Sequence, residues 1–234
     1  MRALITGGSR GIGKAIAFEL GRAGHELLLV ARNRETLERT AGELRTACRG
    51  KIAHFVCDVA KAEDQDALRK FCTTSGFVPE ILVLNAGIFI EGSLSGGAID
   101  ELRETLDVNF FSIHRTVTMF IDDLKTQHGS KIILMGSTAA YEPYPIGPLY
   151  GVAKWALRGY AINLRRELMN DGVGVTFLSP GGTLTDLWEG ETLPENRLLQ
   201  PEDIAKLVAA ILTLSEQAVV EELIVRPMLG DMHE

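Results

Sequence analysis

The sequence is poor in several features that mark specialised classes of protein. Among its 234 residues are three cysteines, Cys48, Cys57 and Cys72, whose spacing suits neither a disulfide framework nor a Cys-x-x-Cys metal site. No apolar run approaches the roughly 18 residues that a membrane helix needs. A strand-like run follows Met1 almost directly, so a signal peptide is not expected. We therefore expect a soluble cytoplasmic protein that has no structural disulfide and no metal site.

Positive charge is also scarce. The 24 lysines and arginines are outnumbered by 31 aspartates and glutamates, which gives a net charge of −7 and argues against nucleic acid or an anionic membrane as partner. The basic residues are concentrated at the start, however, because residues 1–50 contain nine of them against five glutamates. A basic segment in an acidic protein indicates a local anion-binding site near the N-terminus.

Short apolar runs alternate with longer amphipathic segments along the chain. Seven runs are apolar on nearly every residue, as parallel strands covered on both faces are; they lie at 2–6, 26–31, 51–56, 80–85, 131–136, 174–179 and 221–226. Helical periodicity lies between them, including one long helix predicted over about 99–125. The alternation predicts an α/β fold, a single Rossmann-type domain over residues 1–234 with a doubly wound seven-stranded parallel sheet and helices on both faces. An irregular stretch at about 183–200 is expected to form a substrate loop over the site.

A glycine-rich turn, TGGSRGIG at residues 6–13, joins the first predicted strand to the first helix. Its glycines allow a tight turn and close backbone approach to a ligand, and the helix start behind them carries a partial positive charge that suits a pyrophosphate. The spacing is G-x-x-x-G-x-G rather than G-x-G-x-x-G, so an ordinary glycine turn is the alternative. The candidate cofactor-binding residues in this turn are Gly7, Ser9, Arg10, Gly11, Ile12 and Gly13.

Two arginines bear on the choice of dinucleotide. The second predicted strand ends in Ala31 followed by Arg32, at the place where folds that bind NAD have an acid for the ribose 2′-hydroxyl. Arg32 and Arg10 could together hold a 2′-phosphate through bidentate hydrogen bonds, although either could be a solvated surface residue. We therefore expect NADP(H) as the cofactor, with NAD(H) less favoured.

The segment GPLYGVAKWALRGY, residues 147–160, places Tyr150 and Lys154 on one face of a predicted helix. The pair could be ordinary packing or a proton-transfer pair. In the second case Lys154, helped by the charge of a bound oxidised nicotinamide, would lower the pKa of the Tyr150 phenol from its usual value of about 10. Tyr150 could then exchange a proton with a carbonyl or alcohol oxygen. Ser137, at the end of the fifth predicted strand, would hydrogen-bond the same oxygen.

These motifs occur in a characteristic order: TGGSRGIG, NAG at 85–87, Asn109 in the long helix, Ser137, YGVAK at 150–154 and PGG at 180–182. With them the chain resembles the short-chain dehydrogenase/reductase family over nearly its whole length, and its NADP-preferring carbonyl reductases in particular. The resemblance implies a catalytic set of Asn109, Ser137, Tyr150 and Lys154, in which Asn109 holds a water and Lys154 also binds the nicotinamide ribose. It implies further cofactor contacts from Asp58, Val59, Asn85, Ala86, Gly87, Pro180, Gly181, Thr183 and Thr185. It also implies a homodimer or homotetramer that assembles through the two long central helices.

The substrate side of the site is expected to be mainly apolar, which suits a hydrophobic or aromatic ketone. Its candidate residues are Ser137, Phe89, Tyr144, Leu187 and Trp188. The sequence thus predicts an NADPH-dependent carbonyl reductase that acts on a small-molecule carbonyl or alcohol, with Tyr150 as general acid/base. A catalytically idle dinucleotide-binding sensor or scaffold is the alternative. An enoyl reductase of related fold is disfavoured, because the Tyr and Lys of such enzymes lie further apart.

Overall fold

The computed structural model describes residues 1–188, 194 and 196–231, with only the backbone of Leu187. Its centre is one sheet of seven parallel strands in the order β3-β2-β1-β4-β5-β6-β7. The strands are β1 (Arg2–Thr6), β2 (Glu26–Ala31), β3 (Ile52–Val56), β4 (Ile81–Leu84), β5 (Lys131–Met135), β6 (Gly174–Pro180) and β7 (Glu222–Val225). Every strand begins and ends within one residue of a predicted run, which confirms the predicted α/β fold.

Helices cover both faces of this sheet. They are α1 (Gly11–Arg22), α2 (Arg34–Ala47), α3 (Ala62–Ser75), α4 (Ile99–Leu106), α5 (Ser112–Lys125), α6 (Pro148–Leu168) and α7 (Pro201–Thr213). The core on one face contains residues of α1, α2 and α7 with Ile5 and Leu29 of the strands. The core on the other contains residues of α3, α5 and α6 with Leu4 and Leu28. Successive strand residues therefore enter opposite cores, which explains why the strands are apolar on consecutive positions.

Local sequence fixes where the helices begin. Pro148 starts α6, where a missing N–H and a fixed φ angle cost nothing. Asn33 caps α2, and its side chain accepts a hydrogen bond from the Thr36 N–H at 3.0 Å. Pro201 starts α7 behind a reciprocal capping box between Gln200 and Asp203. The start of α6 matters most here, because it sets the position of the residues that follow it at the edge of the sheet.

The helix predicted over about 99–125 is confirmed in its extent, and its centre has a feature that the sequence does not predict. A π-helical turn, Asp107–Phe111, separates α4 from α5. Asn109 lies in this turn and is fully buried. Its Nδ2 donates to the carbonyl oxygens of Thr105 at 3.0 Å and Ile88 at 2.9 Å. Such turns widen a helix by one residue and are frequent at functional sites; here the widened turn carries a polar side chain toward the end of β4.

The chain leaves the neighbouring strands β1 and β4 toward opposite faces of the sheet, to α1 and to α5. A switch point of this kind opens a crevice at the carboxyl ends of the strands, where α/β proteins bind ligands. Asn85 braces the crevice, because its Nδ2 donates to the carbonyl oxygens of Thr6 at 3.2 Å and Gly7 at 3.3 Å. The N–H groups of Asn85 and Ala86 both donate to Thr6 Oγ1. The glycine turn and the NAG motif are therefore one hydrogen-bonded unit.

Three positions of the turn require glycine, two because of their φ angles and one because a side chain would not fit. Gly7 and Gly11 have φ angles of +66° and +52°, which other residues adopt only with strain. Gly13 lacks space instead: a Cβ atom there would overlap the Gly7 carbonyl oxygen and lie 2.6 Å from Asn85 Nδ2. Gly42, in the middle of α2, has no atom within 4 Å of the place where a Cβ would stand.

Within the described part of the chain, no helix combines the length and the apolar character that crossing a membrane requires. The same residues include no group of three or more side chains that could hold a metal ion. Cys48, Cys57 and Cys72 are all free thiols.

We expect Gly13→Ala and Gly42→Ala to change the free energy of unfolding in opposite directions. The new methyl group in Gly13→Ala must separate the glycine turn from Asn85, at a cost of about 1–3 kcal/mol. Gly42→Ala should add about 0.5–1 kcal/mol, because alanine restricts the unfolded chain and favours the helix. Urea denaturation of both variants measures these values. A Gly13→Ala protein as stable as the wild type would contradict the packing described for the turn.

Candidate active site

Tyr150 and Ser137 meet at the carboxyl edge of the sheet. Ser137 follows the end of β5, and Tyr150 lies in the first turn of α6. The Ser137 hydroxyl lies close enough to the Tyr150 phenol to lower its pKa, and Ser137 Oγ accepts the Ala139 N–H at 3.2 Å. Two neighbouring hydroxyl groups at a strand end can bind one substrate oxygen between them.

Aromatic rings form the wall next to Tyr150. The ring centroid of Phe89 lies 5.7 Å from that of Tyr150, and the centroid of Tyr144 lies 6.1 Å from it. Phe89 and Tyr144 also contact each other edge to face, at 6.4 Å. The structure therefore brings two of the predicted substrate residues against the Tyr150 ring, which is itself half-buried.

Lys154 carries its charge into the interior beneath Tyr150. The residue is only 4% exposed, and its Nζ donates to the Met135 carbonyl oxygen at the end of β5, at 2.8 Å. The same Nζ lies 5.3 Å from the centroid of the Tyr150 ring, over its face. A cation at this distance from an aromatic face is attracted to it, so Tyr150 and Lys154 interact as the helical spacing predicts.

The electrostatics of the pair correct one sequence-based expectation. Burial raises the pKa of Tyr150 to about 12, an effect that outweighs the opposing hydrogen bond from Ser137. Lys154 alone therefore does not give the expected lowering of this pKa, and the lowering with oxidised nicotinamide bound stays a prediction. Burial also lowers the pKa of Lys154 to about 8, so Lys154 holds its proton less firmly than an exposed lysine. Tyr150 is a neutral proton donor in this arrangement.

Asn109 reaches the site through the loop that follows β4. Besides its Nδ2 bonds, its Oδ1 accepts the Ile88 N–H at 3.2 Å, and a Cβ atom at Gly87 would lie 2.7 Å from Oδ1. The side chain thus holds the backbone just beyond the NAG motif, next to Phe89.

The glycine turn has the properties of an anion-binding cradle. Arg10 is the residue before α1, and its side chain does not cap the first N–H groups of that helix. Ser9 is buried, and its carbonyl oxygen accepts from Thr40 Oγ1 at 2.8 Å, which ties the turn to α2. The N–H groups that a helix start leaves unpaired are the donors that bind phosphate groups.

The two arginines have different surroundings. Arg32 is exposed just beyond the end of β2. Arg10 Nη1 donates to Asp186 Oδ2 at 2.9 Å, and both side chains are exposed. The ion pair links the glycine turn to the segment after β6. Nothing in the sequence pattern predicts that Arg10 and Asp186, 176 positions apart, would be partners.

Asp58 and Val59 form a turn between β3 and α3. The Asp58 N–H donates to Asp64 Oδ2 at 2.8 Å, and Asp58 Oδ1 accepts the Ala60 N–H at 3.1 Å. Val59 is buried in the core, and its carbonyl oxygen accepts from Gln65 Nε2 at 2.5 Å. The start of α3 therefore fixes this turn beside the crevice.

The PGG motif begins where β6 ends. Pro180 is the last residue of β6, and the Gly181 N–H donates to the Val225 carbonyl at 2.7 Å. Thr183 is buried and its Oγ1 donates to the Gly181 carbonyl at 2.9 Å. Thr185 lies over the glycine turn, 3.1 Å from the place of a Cβ at Gly11.

The loop after this motif is only partly described. Trp188 is half-buried beside Gly182, with its Cζ2 3.7 Å from the place of a Cβ there. Thr183 pairs with Leu199 in an isolated parallel bridge, which joins the two ends of the loop. The Leu187 side chain lies outside the described part of the chain, so its predicted place in the substrate pocket stays a prediction.

Sequence reasoning missed the C-terminal segment as part of this region. Asp231 Oδ1 accepts the Gly182 N–H at 3.2 Å, so a residue near the end of the chain lies on the PGG motif. The proline and glycine of RPMLGD were a signal that the chain turns back after its last strand, but they give no indication of what the turn contacts.

Comparisons with known proteins identify the family. A model of the short chain dehydrogenase family matches residues 1–196, and the chain belongs to the short-chain dehydrogenase/reductase family of oxidoreductases. An uncharacterised oxidoreductase of Staphylococcus epidermidis is 30% identical over 226 residues, which cover 97% of this chain and 96% of that relative.

Two solved structures illustrate the likeness in three dimensions. The alcohol dehydrogenase of the archaeon Thermococcus sibiricus, complexed with 5-hydroxy-NADP, is 32% identical, with a TM-score of 0.88 over 97% of this chain and 96% of that one. The L-sorbose reductase of Gluconobacter frateurii, complexed with NADPH and L-sorbose, is 26% identical, with a TM-score of 0.89 over 97% of this chain and 95% of that one.

Proposed function

We propose that this protein is an NADP(H)-dependent oxidoreductase that interconverts a carbonyl group and an alcohol, with Tyr150 as general acid/base. The observation that carries the proposal is the Tyr150 ring facing the buried Lys154 ammonium at 5.3 Å, with the Ser137 hydroxyl near the phenol, at the carboxyl edge of the sheet. A protein that only bound a dinucleotide would have no use for a tyrosine placed beside a serine hydroxyl and over a buried cation. The idle sensor or scaffold is therefore the weaker hypothesis.

The residues around the crevice fit a dinucleotide. The close approach of Gly7 and Gly13 leaves no room for side chains, and the Arg10 side chain does not cap the first N–H groups of α1. Phosphate groups would be held by the turn 7–13, with Arg10 and Arg32 for the 2′-phosphate. The other proposed contacts are the adenine turn of Asp58 and Val59, the ribose side of Asn85, Ala86 and Gly87, and the nicotinamide side of Pro180, Gly181, Thr183 and Thr185.

The choice of NADP(H) over NAD(H) has two supports. The Thermococcus and Gluconobacter structures were solved with 5-hydroxy-NADP and NADPH respectively. In this chain, the residue after β2 is Arg32, a cation, where an acid would favour the free 2′-hydroxyl of NAD.

The proposed chemistry divides among four side chains. When bound, NADP(H) would supply or accept the hydride, and its oxidised ring would add a positive charge to the site. In reduction Tyr150 Oη gives its proton to the carbonyl oxygen, while Ser137 Oγ hydrogen-bonds that oxygen and orients it. Lys154 Nζ favours the phenolate that Tyr150 becomes, and it also binds the nicotinamide ribose. Asn109 holds the neighbouring backbone in place and, as part of the same proposal, a water for proton supply.

The substrate is proposed to be a small hydrophobic or aromatic carbonyl compound or the corresponding alcohol. Phe89 and Tyr144 offer ring faces beside Tyr150, and Trp188 and Leu187 are the proposed residues of the loop side. An apolar wall favours such compounds because binding removes their apolar surface from water.

Assembly is proposed as a homodimer or homotetramer through α5 and α6. Val152, Trp155 and Ile162 form an exposed apolar stripe along α6, with Ile162 53% exposed, and Phe111 is exposed beside the start of α5. Exposed apolar patches of this kind are typical of protein–protein interfaces.

The proposed role of Tyr150 is tested with Tyr150→Phe, assayed with NADPH and a panel of ketones and aldehydes by the loss of nicotinamide absorbance. We expect turnover by the wild type and a loss of about 10²–10⁴-fold in kcat in the variant, because the ring remains but the proton donor is gone. Tyr160→Phe is the matched control, since Tyr160 lies on the same helix but packs against Phe110 and His114. Full activity in Tyr150→Phe would refute the assignment.

The preference for NADP(H) over NAD(H) is tested with Arg32→Asp. Arg34→Asp, the same substitution two residues later, is the matched control. Loss of a charge-assisted contact to the 2′-phosphate should reduce the ratio of NADPH to NADH affinity by about 10-fold or more in Arg32→Asp. Arg34 pairs with Glu38 on α2, so its variant should keep the wild-type ratio. Identical ratios in both variants and the wild type would remove Arg32 from the phosphate site.

A further inference from the structure

We propose that Asp231 is a positioning residue that holds the PGG motif, residues 180–182, in the place from which it serves the nicotinamide end of the site. The inference rests on the proposed function, which puts the nicotinamide beside that motif. It adds a residue from the last turn of the chain to the machinery, together with Arg226, Arg197 and Glu142. We call these four residues the C-terminal clasp.

A tight turn brings Asp231 back onto the sheet edge. After β7 the chain reverses over 227–230, where the Gly230 N–H donates to the Pro227 carbonyl at 3.0 Å. Gly230 has a φ angle of +78°, which favours glycine. The tip of the turn points into solvent, because Met228 is 98% exposed. The segment 226–231 is therefore folded back onto the sheet edge, with the apolar tip of its turn in solvent and the Asp231 carboxylate inside.

The Asp231 carboxylate lies directly on the PGG motif. Its Oδ1 accepts the Gly182 N–H at 3.2 Å. A Cβ atom at Gly181 would overlap the same oxygen, so the carboxylate occupies the space that only a glycine at 181 leaves open. The glycine at 181 is thus explained by the Asp231 carboxylate, which also bonds the N–H of the next residue, 49 positions away.

Arg226 connects this carboxylate to the substrate side. Its guanidinium forms ion pairs with Asp231 and with Glu142, the latter at 2.5 Å. Glu142 lies between Ser137 and Tyr150 in sequence, two residues before Tyr144. The charge of Asp231 also contributes to the raised pKa of Tyr144, after the larger effect of burial, so Asp231 is electrostatically close to the aromatic wall.

Arg197 joins the predicted substrate loop, in which it lies, to the turn that carries Asp231. Its Nη1 donates to the Gly230 carbonyl at 2.7 Å, and its Nη2 donates to the Asp231 carbonyl at 2.9 Å. The substrate loop, the segment before Tyr150 and the chain end are therefore joined through one turn. The Asp231 side chain is 17% exposed, and a charge-assisted bond in such a partly buried place is stronger than a surface ion pair.

Removal of the carboxylate should displace the PGG motif while the distant adenosine half of the cofactor site stays intact. The test compares Asp231→Ala, Asp231→Asn and the wild type as full chains. Calorimetric titrations measure the affinity for NADPH and for adenosine 2′,5′-bisphosphate, a probe that has no nicotinamide. Asp171→Ala is the control, because it also removes a carboxylate from an ion pair, with Lys125 at 3.0 Å, but at the opposite edge of the sheet.

We expect Asp231→Ala to weaken NADPH binding by about 10-fold, since small misplacements of a binding group have effects of this size, and to change binding of the bisphosphate less than about twofold. Asp231→Asn should be intermediate, because it keeps an acceptor for the Gly182 N–H but loses the charge that faces Arg226. Asp171→Ala should match the wild type for both ligands. We therefore expect the affinity to fall only for the ligand that contains a nicotinamide.

Two results would overturn the inference. Equal losses for NADPH and the bisphosphate in Asp231→Ala would mean that the residue only stabilises the fold, and unchanged NADPH binding would mean that the clasp does not position the motif. A wild-type protein that binds neither ligand would instead refute the proposed cofactor itself, and the inference would fall with it.

Discussion

Burial of the Lys154 ammonium group is the constraint around which this site is organised. A cation removed from water is tolerated only where polar groups and negative potential replace the lost hydration. Here the Met135 carbonyl oxygen accepts a hydrogen bond from Lys154 Nζ at 2.8 Å, and the face of the Tyr150 ring lies above Nζ. Because Met135 ends the interior strand β5 and Lys154 lies on α6, these contacts fix the rotation of α6 on the sheet. Tyr150, one turn earlier, must then face Ser137.

Side-chain bonds to backbone hold the loops around this centre. Asn85 joins the glycine turn to the NAG motif, and Asn109 holds the backbone after it from within a π-helical turn. From the other side, the Asp186 carboxylate pairs with the Arg10 guanidinium, and the Asp231 carboxylate accepts the Gly182 N–H. Loops at the carboxyl edge of a sheet carry function but lack ladder hydrogen bonds of their own. These polar side chains supply the order that the irregular backbone lacks.

The sequence predicts the fold closely because strands buried on both faces leave an unambiguous pattern, and every predicted run became a strand. The glycine turn and the Tyr150–Lys154 pair were predictable for the same reason, since their spacing is local. The π-helical turn was not, because its buried Asn109 has hydrogen-bond partners in a loop 21 residues away that the sequence pattern does not show. Nor were the partners of Arg10 and Gly182, which are distant in sequence. The raised pKa of Tyr150 in the protein alone was not predictable either, because a sequence shows the neighbouring cation but not the burial.

The central claim is that the surroundings of Tyr150 decide when its proton can leave. Ultraviolet titration of phenolate, taken as the difference between the wild type and a protein without the Tyr150 hydroxyl, measures this directly. In the protein alone the difference signal should be absent up to about pH 10, because burial holds the pKa of Tyr150 at about 12. Saturation with oxidised NADP, which adds a positive charge, should bring the signal below about pH 10. A phenol that titrates near its ordinary value with and without the nucleotide would contradict the account.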